Sequence, residues 1–246
     1  MIDISPERQV DNLLARILQL ERQLELSSRL DSVGMADYAL WSAGAYVITS
    51  LTSPTYTLQS KTWTWFSLRP PLQLKPPELA LSPELHLGYC WAMLGSNGTL
   101  GVALARTIMP RAITIDHVAK PLLLQVHSAP RDMEVWIVPE PEDRETALVP
   151  ARWNDEELMT ASGAELLGGP ANLQHHRFRG TMFVRLANFT YNIHGTHPTQ
   201  TFAVPNEVTG LRLRTDTALF KFLNNWGNED YTCVYRIRVH GDSMED

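Results

Sequence analysis

The sequence predicts a mainly β domain of sandwich or barrel type, preceded by one amphipathic helix. Three observations carry this. After Gly34, short runs rich in Val, Ile, Leu and aromatic residues recur, and several alternate polar with apolar, the period of half-buried antiparallel strands. Pro, Gly and Asn separate these runs, as expected of a sandwich or barrel. Before Gly34 the apolar positions instead recur in steps of three and four.

Residues 5 to 31 read as a helix. Ser5-Pro6-Glu7 offers an N-cap followed by proline at the first helical position. Val10, Leu13, Ile17, Leu20 and Leu24 fall at a and d of a heptad, with charged and amide side chains between them. Leu14 and Leu18 widen the stripe. That suits either docking onto the chain's own domain or a trimeric coil.

The expected strands are Tyr46-Val47-Ile48, Gly101 to Leu104, Ala112 to Ile115, Glu134 to Val138, Gly210 to Arg214 and Tyr235 to Val239. A different texture begins at Pro139-Glu140-Pro141-Glu142-Asp143. It is charged and loop-like, has one helical patch from Asp155 to Leu166, and reads as an insertion at about 139–187. The organisation is therefore a helix over 1–31 and a β domain over 32–246.

The net charge of −6, from 27 acidic and 21 basic residues, argues against nucleic acid or an anionic membrane surface as the main partner. No apolar run reaches the length of a bilayer span, and no signal peptide opens the chain. A membrane anchor is expected only in a longer parent. Cys90 and Cys233 read either as two buried free thiols or as one long-range disulfide of an oxidising compartment. The sequons Asn97-Gly98-Thr99 and Asn188-Phe189-Thr190 are compatible with a secretory lumen.

No catalytic constellation is visible. His194-Gly195-Thr196-His197 has an HxxH spacing and His175-His176 lies upstream, but glycine stands where a zinc hydrolase helix needs glutamate. There is no GxSxG elbow, P-loop or dinucleotide fingerprint, so an enzyme is not expected.

Three stretches together are specific. The first is Asp37-Tyr38-Ala39-Leu40 with Ser42-Ala43-Gly44-Ala45. The second is Gly88-Tyr89-Cys90-Trp91-Ala92-Met93, followed by Gly95-Ser96. The third is Asn225-Trp226-Gly227-Asn228-Glu229-Asp230-Tyr231-Thr232-Cys233-Val234-Tyr235, continuing to Gly241. In order they resemble the SUN domain. Ile115-Asp116-His117-Val118 and Ser128-Ala129-Pro130-Arg131-Asp132 are similar to internal blocks of the same family.

The resemblance implies a jelly-roll-like β-sandwich, assembled as a homotrimer on a coiled coil. It would lie in the perinuclear space and be tethered to the inner nuclear membrane. Its ligand would be the C-terminal KASH peptide of an outer nuclear membrane protein, which together with it forms the LINC bridge between nucleus and cytoskeleton. The resemblance also implies a pocket for the peptide carboxylate at His117, Ser128 and Tyr235. A lid follows from about Thr57 to Pro77, including Thr62, Trp63, Thr64, Trp65, Phe66, Ser67 and Leu68, and would add a strand to the peptide. Cys90 and Cys233 fall on the family's internal disulfide. A potassium ion would be held mainly by backbone carbonyls of Leu79, Ser82, Glu84, Tyr89 and Tyr235. Thr52 stands where many relatives carry a cysteine that cross-links the peptide, so binding here is expected to be non-covalent. The alternative reading is a lectin-like or discoidin-like sandwich that binds carbohydrate through exposed Trp63 and Trp65.

Overall fold

The structure, a computed structural model, describes residues 14, 16–19, 34–57, 75–119, 126–143, 160–167 and 178–243. The chain divides into two units, Met1–Ala36 and Asp37–Asp246. In the first, Leu14 and residues 16–19 are helical, and Leu14, Ile17 and Leu18 are exposed. The capping residues and the remaining heptad positions lie outside the described residues.

The second unit is built of β1 (Tyr46–Ile48), β2 (Trp91–Leu94), β3 (Gly98–Asp116), β4 (Asp132–Val138), β5 (Thr160–Ser162), β6 (Met182–Thr190), β7 (Thr199–Ala203), β8 (Thr215–Phe222), β9 (Tyr231–Val234) and β10 (Arg236–Ser243). It is mainly β, a sheet-rich sandwich. The main sheet runs β1-β3-β8-β4-β6-β5, with β10 and β7 also paired to β3, and all its pairs are antiparallel. β2 and β9 form a separate ribbon.

The runs at 101–104 and 112–115 belong to one strand of 19 residues, not two. Its first half pairs with β1 and β8, and its second half with β10 and β7. The register breaks between Ala103 and Ile108, where the strand changes partners. Pro110, which has no N–H to give a ladder, sits opposite Gly241 beside a bulge at His240/Gly241. A Cβ on Gly241 would strike the Met109 carbonyl oxygen. The bent strand thus carries the fold from one set of partners to the other.

The period of two decides which side chains meet. Val135 and Ile137 of β4, with Ala218, Phe220 and Phe222 of β8, enter the main core beside Leu100, Val102, Ile113, Ile115, Ile237 and Val239. Trp136 and Leu219, one position out of phase, join Leu51, Leu166 and Phe183 in a second cluster. Full burial of a side chain such as Phe220 or Ile113 stabilises the fold by roughly 1.5–3 kcal/mol. Gly101 has no side chain because Leu51 occupies the space a Cβ would need.

One expectation is corrected. Gly210 to Arg214 is a turn, not a strand. It continues the short helix Asn206–Thr209 through Leu211 N–H to Val208 O and Arg212 N–H to Thr209 O, with Arg212 at φ 53°. The Leu/Arg alternation there reflects a turn whose Arg214 is committed to Glu142 and Asp143. The segment read as an insertion is described only in part, and from Met182 it is already strand β6, paired with β4. Its described helix is Gly163–Leu167. Ser162 N–H donates to Glu165 Oε2 (2.7 Å), and Glu165 N–H returns to Ser162 Oγ (3.4 Å), a capping box.

Cys90 and Cys233 form a disulfide, with Cα atoms 5.6 Å apart across 143 residues of sequence. A two-stranded ribbon such as β2–β9 is marginal alone, and the disulfide bolts its end. Closing so long a loop is worth about 5 kcal/mol in the chain-entropy model. Replacing both cysteines by alanine is expected to lower the unfolding free energy by roughly 2–5 kcal/mol, read by urea denaturation. An unchanged midpoint would contradict a stabilising role for the bond.

Candidate functional site

β3 ends in Asp116, which is fully buried. Its carboxylate accepts from Arg238 Nε at 2.6 Å and from Thr199 Oγ1 at 2.8 Å, and Arg236 Nε lies 3.8 Å away. Arg236 also binds Asp37 at 2.9 Å, and Asp37 accepts from the backbone of Ala39 and Val239. The network therefore fixes the end of β3, the start of β10 and the entry of the domain. Removing one partner of such a buried set costs about 3–5 kcal/mol, because it strands a charge.

His117 and Tyr235 flank this network in sequence. His117 follows Asp116 and is 3% exposed. Its backbone N–H donates to Pro198 O, and its Nδ1 lies 3.2 Å from Val118 O. A carbonyl only accepts, so Nδ1 carries the proton. Nε2 has no hydrogen-bond partner among the described residues. Burial lowers the His117 pKa to about 4, a shift only partly offset by the Val118 carbonyl. At neutral pH the ring is therefore uncharged and presents a lone pair at Nε2.

Tyr235 precedes Arg236 and stands edge-on to His117, with ring centroids 4.5 Å apart. Its hydroxyl accepts from Gly88 N–H at 3.1 Å and keeps its own proton free of that bond. Burial pushes this hydroxyl above its usual pKa, so it stays a donor. Gly88 has φ +71°, the left-handed region that favours glycine. Cys90, Cys233, Val118 and Tyr235 form one small apolar cluster, so the disulfide packs directly beside the tyrosine.

Ser128 is also buried, but on a separate turn, Val126–Ser128. That turn is laced to residues 224–228, with Trp226 N–H on Ala129 O and Asn228 N–H on His127 O. Tyr191 links the two regions. Its ring stacks on His117 at 5.9 Å and its hydroxyl donates to Pro198 O at 2.8 Å. Its carbonyl accepts from Trp226 Nε1 at 3.2 Å. Arg131 lies 5.0 Å over the Trp226 ring.

The Sad1/UNC-like C-terminal family model matches residues 48–158 and 174–243. The chain belongs to this family: it is a SUN-domain protein. SUN domain-containing protein 3 of Bos taurus is 32% identical over 242 residues, which are 98% of this chain and 54% of that protein. SUN domain-containing protein 2 of Mus musculus is 30% identical over 244 residues, 96% of this chain and 26% of that protein. The chain thus spans about half the length of the first relative and less of the second. Among solved structures, the family 32 carbohydrate-binding module from Streptococcus pneumoniae EndoD has a TM-score of 0.46 at 8% identity, over 84% of this chain and all of that one. That likeness says nothing about a sugar site here.

Within this SUN domain, residues 62–68, expected as a lid, lie outside the described residues. The segment that leads toward them is laced down. Thr55 pairs with Met93, Leu94 N–H donates to Pro54 O and Tyr56 N–H donates to Ala92 O. Thr52 is fully engaged, donating to Ile48 O at 2.8 Å and accepting from Gly101 N–H at 3.2 Å.

The loop from which the resemblance draws a cation's ligands is partly engaged in its own hydrogen bonds. Leu79 O already accepts from Ser82 N–H, and Ser82 Oγ accepts from Glu84 N–H, while Glu84 itself is exposed. The loop also holds a positive charge of its own: Lys75 Nζ donates to Gly88 O and lies 5.6 Å from the centre of the Tyr89 ring. Among the described residues, no group of three or more His, Cys, Asp or Glu is placed to hold a metal. His194 of the HxxH spacing packs edge-on against Trp226 instead.

Sequence reading missed Tyr191 and the Asp116–Arg236–Arg238 set. The Asp-His pair was visible as a block, but only the β3–β10 register brings the arginines to it.

His117 generates a pH prediction. Its pKa rises from about 4 when folded to the ordinary 6.5 when unfolded, so the unfolded chain binds more protons between those values. Stability should be fullest above pH 6.5 and fall as pH drops toward 4, by about 2 kcal/mol at pH 5. His117→Gln should lose that share of the slope. Equal losses of unfolding free energy between pH 7 and pH 5 in the wild type and His117→Gln, read by urea denaturation, would show that the buried ring titrates normally.

Proposed function

We propose that this domain binds the C-terminal KASH tail of an outer nuclear membrane protein in the perinuclear space. As part of a longer chain anchored in the inner nuclear membrane, it would help bridge the nuclear envelope to the cytoskeleton. Family membership supports the nuclear envelope setting. One observation carries the tail-binding reading: a buried His117 with an unpartnered Nε2, set against a buried Tyr235 whose hydroxyl proton is available. An unsatisfied polar atom in a core costs about 1–3 kcal/mol, a cost that a ligand would offset.

A terminal carboxylate suits this pair. Tyr235 donates directly. His117 donates through Nε2 once the ligand's charge favours the imidazolium. Ser128 adds a hydroxyl on the neighbouring turn, and the lid over 62–68 pairs with the extended peptide backbone. Binding needs no covalent bond, because Thr52 offers no sulfur.

The peptide test is direct. Each charge-assisted hydrogen bond is worth roughly 1.5–3 kcal/mol, so Tyr235→Phe or His117→Gln should weaken a KASH-tail peptide about tenfold or more in calorimetry. A peptide extended by one C-terminal residue should bind worse still. Equal affinity for native and extended peptides would exclude use of the carboxylate.

The working form is a homotrimer set by residues 10 to 24. The heptad spacing supports this, as do the exposed Leu14, Ile17 and Leu18. Sedimentation should give the trimer mass, and Ile17→Asn with Leu20→Asn should lower it. A wild-type monomer at all concentrations would refute constitutive trimerisation.

A further inference from the structure

Two asparagines have side chains that do no work in the fold. Asn97 is exposed in the turn between β2 and β3, and Asn188 is exposed on β6. A turn asparagine usually serves in one of two ways: it accepts the left-handed backbone, or its side chain bonds a nearby backbone group. Asn97 does neither. Among the described residues Arg212 alone of the non-glycines has positive φ, and no hydrogen bond reaches the Asn97 side chain. Asn188 stands within a strand, where asparagine is depleted, and its side chain also has no hydrogen bond among the described residues. Other asparagines are committed. Asn192 Oδ1 accepts from His194 N–H, Asn224 Nδ2 donates to Asp132, Asn225 Nδ2 donates to Asn228 O, and Asn228 Oδ1 accepts from Asp230 N–H.

Asn97 and Asn188 share the residue two places on. Each opens an Asn-x-Thr triplet, Asn97-Gly98-Thr99 and Asn188-Phe189-Thr190. Packing explains the middle residues: a Cβ on Gly98 would meet Ser53 Oγ at 2.6 Å, and Phe189 stacks on Phe202 with centroids 4.0 Å apart. The register places both triplets on one sheet face. Thr99 lies opposite Lys221, Lys221 opposite Glu134, and Glu134 opposite Asn188. This row crosses β3, β8, β4 and β6, about 14 Å at the usual strand spacing. Leu100, Phe220 and Val135, next to it in sequence, enter the main core on the other face. The row itself is polar throughout and none of it is buried.

We propose that Asn97 and Asn188 are N-glycosylation sites, carrying two sugars on one polar face of the sheet. The proposal rests on the perinuclear reading, since that space is continuous with the lumen where such sugars are added, and the Cys90–Cys233 bond fits an oxidising lumen. The co-reactant is a lipid-pyrophosphate-linked oligosaccharide. Asparagine Nδ2 bonds to its anomeric carbon, the bond from that carbon to the pyrophosphate oxygen breaks, the lipid pyrophosphate leaves with the electron pair, and one amide proton is released. The threonine hydroxyl must be free for transfer. In the folded domain Thr190 Oγ1 donates to Asp132 at 2.6 Å, so transfer precedes the closure of β6.

The experiment delivers the whole chain to the endoplasmic reticulum of cultured animal cells behind a cleavable signal peptide. Gel mobility is then read before and after peptide N-glycosidase. The wild type should lose two glycans. Asn97→Gln and Asn188→Gln should each lose one fewer, and the double variant none. Thr99→Ala and Thr190→Ala should abolish their own site, whereas Thr99→Ser and Thr190→Ser should keep it. Glycosidase treatment of the wild type in heavy-oxygen water should leave labelled aspartate at 97 and 188, which decides the matter even if a variant folds poorly. A wild-type chain that carries the Cys90–Cys233 bond but does not shift with the glycosidase overturns the proposal. So does a chain with a glycan at one position only. The signal peptide sets the compartment, so failure here leaves the tail-binding reading untouched.

Discussion

The buried carboxylate of Asp116 is the constraint on which the rest of the domain hangs. A charge so far from water is tolerated only when it is paired and hydrogen-bonded. Its partners come from three places in the chain: Thr199 on β7, Arg238 on β10 and, more distantly, Arg236 at the start of β10. Arg236 passes the constraint on to Asp37, where the domain begins. Satisfying Asp116 therefore requires β7, β3 and β10 to be in register together. The side chains beside it in sequence, His117 and Tyr235, are delivered to one another as a consequence.

His117 and Tyr235 inherit their order from this network. Among the described residues two buried nitrogens lack a hydrogen-bond partner: Arg236 Nε, still 3.8 Å from the Asp116 carboxylate, and His117 Nε2. Sites where a well-satisfied core breaks its own rule are where function is expected, because the cost is carried by the surrounding structure. Here that structure is the disulfide beside Tyr235, the Gly88 peptide on its hydroxyl and Tyr191 stacked on the imidazole. The Thr52 hydroxyl serves the fold, donating to Ile48 O and accepting from Gly101 N–H.

Much of the architecture was legible in the chain. The runs Glu134 to Val138 and Tyr46 to Ile48 lie within or coincide with β4 and β1. Val135, Trp136 and Ile137 are all buried, because β4 faces one apolar cluster on each side. The pattern failed where identical local signals have two physical origins. Leu211 and Leu213 alternate with arginines as a strand would, yet they belong to a turn, because Arg214 is drawn to Glu142 and Asp143. The long β3 read as two strands because a strand that changes partners midway has no continuous period to show.

By itself the sequence determined the fold class, the family blocks and the pair of cysteines that the disulfide joins. Short-range periodicity is enough for the fold class, whereas the cysteine pairing was implied only by the resemblance that the motif blocks carry. Only the tertiary structure decided what the polar residues do. That Asp116 binds Arg238 across 122 positions, that Tyr191 stacks on His117 and that Lys75 reaches Gly88 are long-range facts. They depend on strand register and loop closure, which bring together groups whose spacing along the chain carries no trace of their meeting.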